Sequence, residues 1–360
     1  MPLAQIDDKG TSIYYEDSGA PADPARYTTI VLVHGGIINM GIYERMPPYA
    51  SEYGLRIITM NCRDYSGSTP YTAEELAELT SPDIEVQASA VRRWAHEIGQ
   101  FLAYACQTLQ IHRSVDGAGG LIVLTWSLMG MAALCMLGDP GALGHDLAAA
   151  LSPYLRKVIL HDIASFSYGY PVDIPGLSFP FTDPTIPHEK LLDVFFDWVS
   201  SHSAALPDGV PITAEALQKY SKILPGTPVL RTLSLEETQR IVEPEVSSRS
   251  MHVMGTDPSI HQRNSHRAFS DADAVLPNVE LVAFWCDQSV WTTAWGAKVF
   301  LDLAQQPADP GKRKRKTSFV RIRGANHFVH WSHPEMMVRI LAQQCNDTTA
   351  HATKFAASRL

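Results

Sequence analysis

Two short alternating segments, residues 2–7 and 11–17, flank a turn at Asp8-Lys9-Gly10 and predict a pair of strands. Thr28 to Val33 is then an unbroken run of apolar and β-branched residues, the pattern of a parallel strand covered on both faces, and Leu55 to Met60 repeats it. Between 83 and 111 the period changes. Val91, Trp94, Ile98, Phe101, Leu102, Ala105 and Leu109 fall on one face of a helix. Leu121 to Leu124 and Lys157 to Leu160 predict two more buried strands, the first running directly into an apolar helix from Leu128 to Leu137. The alternation lapses from 166 to about 275, a stretch rich in Pro, Ser, His and Asp with helical patches such as Leu191, Leu192, Phe195, Phe196 and Val199. It resumes with a strand at Val279 to Phe284, a helix through Trp295 and Leu301, a strand at Ser318 to Ile322 and a last helix after Pro334.

This order of elements predicts an α/β core, residues 1–165 and 276–350, interrupted by a mainly helical lid or cap, 166–275, and followed by a tail, 351–360. Composition narrows the function classes. A formal net charge of −9 argues against bulk electrostatic binding of nucleic acid. No apolar run is long enough to span a membrane, and the first ten residues carry charges and no apolar stretch of a secretory signal. Cys62, Cys106, Cys135, Cys286 and Cys345 are odd in number and scattered, which fits buried free thiols in a reducing compartment. The chain ends Ser358-Arg359-Leu360, which resembles the peroxisomal address Ser-Lys-Leu, so a peroxisomal import receptor is the expected partner and the peroxisome, or otherwise the cytoplasm, the expected location. The basic run Lys312 to Lys316 is expected to be a solvated loop, with a nuclear signal or a phosphate contact as the alternatives.

The chemistry concentrates at strand ends. Leu121 to Gly130 runs strand, sharp turn, helix, with Ser127 at the turn, where its hydroxyl stands above the sheet edge and faces the positive end of the following helix. His34-Gly35-Gly36 ends an earlier strand, and Gly324-Ala325-Asn326-His327-Phe328 follows the last one. Serine first and histidine last, in these contexts, resembles the α/β-hydrolase superfamily over nearly the whole chain outside the insertion. The family pattern Gly-x-Ser-x-Gly stands here as Thr125-Trp126-Ser127-Leu128-Met129, with Gly130 one residue late. The resemblance implies Ser127 as nucleophile, His327 as general base, and the N–H groups of Gly36 and Leu128 as the oxyanion hole.

For the acid, the family position after the seventh strand is Ser289, which carries no charge. Two carboxylates remain, Asp287 just before it and Asp162 at the end of the sixth strand, where some lipases, dehalogenases and peroxisomal acyl-CoA hydrolases of this fold carry theirs. Asp162 is favoured. A metal reading of His327, His330 and His333 has little support, since these straddle a loop and Pro334 with no carboxylate or thiolate at ligand spacing, and no cofactor is implied. The expected activity is hydrolysis of an ester or thioester of a bulky apolar acyl group. A non-hydrolytic enzyme of the same fold (elimination, cyclisation or C–C cleavage) and a catalytically dead ligand-binding member are the alternatives.

Overall fold

The structure, a computed structural model, describes residues 2–21, 27–171 and 173–345. Eight strands form one sheet: β1 Leu3–Gln5, β2 Ser12–Asp17, β3 Thr28–Val33, β4 Leu55–Met60, β5 Leu121–Trp126, β6 Leu155–His161, β7 Glu280–Cys286 and β8 Thr317–Ile322. Their order is β1-β2-β4-β3-β5-β6-β7-β8. β1 and β2 pair antiparallel, β2 joins β4 antiparallel, and β3 to β8 run parallel. The predicted strands all form; β5 and β6 run further toward their C-terminal ends than the apolar runs alone suggest.

Alternation along the buried strands divides the core in two. Val31, Val33, Val123, Val158 and Leu281 face one side, where the helix Ile84–Thr108 lays its Val91, Ile98, Phe101 and Leu102 face. Ile30, Leu32, Leu124, Ile159 and Phe284 face the other, beneath the helix Pro334–Cys345. Asp83 caps the long helix by accepting a hydrogen bond from the Glu85 N–H, and Gln110 ends it in a left-handed turn (φ +55°).

The segment between β6 and β7 contains helices, turns and isolated bridges but no strand among its described residues. Its last α-helix, Pro258–Ser270, belongs to the layer beside the sheet. A Cβ at Gly138, in the helix after Ser127, would lie 2.0 Å from the Asn264 carbonyl oxygen, and one at Gly169 only 2.3 Å from the Gln262 nitrogen. Glycine is required wherever two backbones come this close.

The order β4-β3-β5 means that β3 sends its chain to one side and β5 continues on the other. Crevices outside the C-terminal ends of strands at such a switch point are where open α/β sheets bind ligands.

Candidate active site

Each side chain singled out from sequence leaves the sheet at the C-terminal end of a parallel strand. Trp126 of β5 and His161 of β6 are register partners, so the residues that follow them, Ser127 and Asp162, leave the sheet side by side. Both turn sharply there, with φ +54° at Ser127 and +51° at Asp162, a left-handed conformation that residues with a Cβ rarely adopt. Ser127 opens a short 3-10 turn, Ser127–Met129, that passes into the helix Gly130–Gly138.

The glycine of the elbow stands at 130 because that is where the backbone is crowded: a Cβ there would sit 2.7 Å from Ile163 Cγ2. Met129 is buried instead in a small cavity with Met60, Cys62, Tyr65, Trp94 and Glu97. A bulky side chain at this position is therefore accommodated without distorting the turn.

Asp162 is buried, and every contact of its carboxylate is made to a donor. Oδ2 accepts from His327 Nδ1 at 2.7 Å and from Ser289 Oγ at 2.6 Å, and Oδ1 accepts from the Cys286 N–H at 3.0 Å. Burial pushes the carboxyl up, but the bond from His327, its charge and the Ser289 hydroxyl outweigh it and hold Asp162 below the usual carboxylate range. Accepting at Nδ1 would oppose two lone pairs, so Nδ1 carries the proton and Nε2 is left as the base. The indole of Trp126 braces the ring, with centroids 4.9 Å apart.

Asp287 is occupied elsewhere. Its carboxylate accepts from Arg321 Nε at 3.0 Å and from the Gly324 N–H at 2.8 Å, so it fixes the start of the loop that carries His327. The structure thus brings Asp162, not Asp287, to His327. Ser289 takes part as a donor to the carboxylate that stands in front of it, a role that its lack of charge had hidden. Ser127 makes no hydrogen bond to His327 among the described residues. Such bonds are often long before substrate binds.

Gly35 lies directly against the serine. A Cβ there would be 3.2 Å from Ser127 Cβ and 2.9 Å from Trp126 Cε3. The N–H groups of Gly36 and Leu128 find no acceptor among the described residues, which leaves both able to meet a developing negative charge. Above Gly36 stands Met251, from the segment between β6 and β7.

No family model matches the chain, and no curated protein matches it. Solved structures do. A mutant of potato epoxide hydrolase superposes with a TM-score of 0.53 at 13% identity, over 95% of this chain and 98% of that one. An esterase from Exiguobacterium antarcticum matches at 0.47 and 15% identity over 95% and 98%, and a haloalkane dehalogenase variant from Bradyrhizobium elkanii at 0.48 and 15% over 93% and 93%. The fold is that of the α/β-hydrolases.

Within this hydrolase fold two further sequence readings meet the structure. The basic run is an exposed loop at Lys312, Arg313 and Lys316, as expected, with one exception. Arg315 is buried and donates to the carbonyls of Ala268, Val275, Leu276 and Val279 at 2.7 to 3.0 Å. Lys312, Arg313 and Lys316 pair with Asp271, Asp273 and Glu280, and Lys314 donates to the Gln306 carbonyl. The pattern of five adjacent cations hid the burial of Arg315 because its partners lie on other elements. His330 is buried against Trp126 and Tyr43, and no group of three metal-ligating side chains lies in a geometry that could hold an ion among the described residues. Ser358-Arg359-Leu360 lies outside the described residues. No described helix is long and apolar enough to cross a membrane.

Proposed function

We propose that the chain is a serine hydrolase acting on an ester or thioester of a bulky apolar acyl group. The observation that carries this reading is the buried His327, oriented by Asp162 at 2.7 Å, at the same end of the sheet as a serine on a strained turn. In this mechanism Ser127 Oγ attacks the acyl carbonyl while its proton passes to His327 Nε2. The carbonyl oxygen gathers negative charge between the Gly36 and Leu128 N–H groups. Collapse expels the alcohol or thiol, which takes the proton from His327. Water, deprotonated by the same nitrogen, then releases the acid and frees Ser127.

Half-buried aromatics support an apolar acyl group: Phe179, Phe181, Phe195 and Trp198 form a continuous cluster with ring centroids 4.6 to 6.2 Å apart. Of the basic run, Arg315 is buried in bonds to backbone carbonyls and closed to a coenzyme A phosphate, while Lys312, Arg313 and Lys316 stay exposed in surface ion pairs. A thioester and an ester are separated by assaying free thiol release from a long-chain acyl-CoA against hydrolysis of a p-nitrophenyl ester of the same acid. The terminal tripeptide supports a peroxisomal location, which a fluorescent fusion with and without the last three residues tests.

The decisive experiment is covalent. A fluorophosphonate probe is expected to label Ser127, and Ser127→Ala to lose both labelling and turnover, the latter by on the order of 10⁶, with the fold intact. A Ser127→Ala protein that keeps a tenth of wild-type activity would remove the serine-hydrolase reading.

A further inference from the structure

The oxyanion loop contains a residue whose backbone is out of keeping with its side chain. Ile37 is β-branched, 1% exposed, and sits at φ +66°. For such a residue this is a genuine outlier, which persists only where its surroundings over-determine it. The surroundings are two hydrogen bonds from other elements. The Ile37 N–H donates to Tyr65 Oη at 2.9 Å, and the Ile37 carbonyl accepts from the Glu243 N–H at 2.8 Å.

The neighbouring peptide is fixed from the same side. The Gly35 carbonyl accepts from His34 Nδ1 at 2.7 Å and lies 3.5 Å from the Tyr65 hydroxyl. The Cys62 N–H donates to His34 Nε2 at 3.0 Å, which settles the tautomer and leaves the proton on Nδ1. In a trans peptide the carbonyl and the following N–H point opposite ways. Holding the Gly35 carbonyl toward His34 and Tyr65 therefore turns the Gly36 N–H away from them.

We propose that Tyr65 is a positioning residue for the oxyanion hole, its hydroxyl holding Ile37 in the left-handed kink that keeps the Gly36 N–H aimed at the reacting carbonyl. The inference rests on the reading of Ser127 as nucleophile. It makes the geometry of the hole depend on a tyrosine from the loop after β4.

The test compares wild type, Tyr65→Phe, Ile37→Gly and the double variant, using a fluorophosphonate probe and separating the limiting inactivation rate from the half-saturating probe concentration. Tyr65→Phe is expected to lower the limiting rate at least tenfold with half-saturation within twofold, since only the charge-bearing step needs the hole. A merely structural role would lower the melting temperature and the reactive fraction without slowing the protein that still reacts. Glycine adopts positive φ without strain, so in the Ile37→Gly background the loss caused by Tyr65→Phe is expected to shrink below about threefold. That double variant also keeps the test open if Tyr65→Phe alone folds poorly.

A limiting rate within threefold of wild type in Tyr65→Phe, or an equal loss in both backgrounds, would overturn the inference and leave Ser127 untouched. A wild-type protein that the probe does not label at Ser127 would remove the serine-hydrolase reading and this inference with it.

Discussion

Asp162 and Asp287 end adjacent strands and differ in what captures them. Asp287 is captured by Arg321, a residue of β8, and by the Gly324 N–H. Asp162 receives His327 and Ser289. Asp162→Asn is expected to cost about 10⁴ in kcat, because an amide would favour the wrong tautomer of the imidazole. Asp287→Asn should stay within tenfold of wild type in kcat while lowering stability, and stopped assays beside urea melts check both. Comparable losses of kcat in the two variants would contradict this division. The sequence alone makes Ser127 and His327 legible because each is marked by its local strand, turn and helix. The preference for Asp162 over Asp287 rested on the resemblance alone, since what separates the two is an arginine 34 residues from Asp287 and a histidine 165 residues from Asp162.

Among elements, the short segment from Ile241 to Met251 couples the region between β6 and β7 to the loops that border Ser127. Glu243 is buried, and its carboxylate accepts from Asn39 Nδ2 at 2.7 Å and from the Ser66 N–H at 2.9 Å. Arg249 donates to Asp64 at 2.7 Å. Arg315 does similar work beneath, joining the helix Pro258–Ser270 to the turn before β7. Arg315→Met would leave several buried carbonyls without donors and is expected to destabilise the fold by about 3–5 kcal/mol in urea titrations. The folded fraction should react with the probe at the wild-type rate, because Arg315 touches none of the residues around Ser127. Periodicity showed these elements as helices and loops but could not show which were tied to which, because the ties are side chains bonded to distant backbone.

For the molecule as a whole, the buried titratable groups set a pH window. Burial pushes His34, His161 and His261 down to about 4, and His330 well below its ordinary value with His161 and His327 adding to it. Burial pushes Glu97 up to about 7 against the opposing bonds from Tyr71 and Arg63. As pH falls below 6.5, the unfolded chain takes up four histidine protons that the native state refuses. The native state meanwhile keeps one proton on Glu97 that the unfolded chain has lost above 4.5. Three protons net favour unfolding, so stability is expected to fall by up to about 4 kcal/mol per pH unit below 6.5. Urea midpoints measured from pH 8 to 5 check this, and a flat profile would contradict it. The parallel sheet itself was legible from apolar runs, whereas these buried imidazoles resemble any surface histidine until the neighbours that cover them are known.

The close approach of Gly138 to Asn264 bears on how the protein can be recombined. A chimera that exchanges everything between β6 and β7 would strip a helix from the layer beside the sheet and expose the apolar face behind the nucleophile turn. One with crossovers near Gly176 and Ser234 would keep that helix together with the Glu243 and Arg249 anchors, and is the graft expected to stay folded.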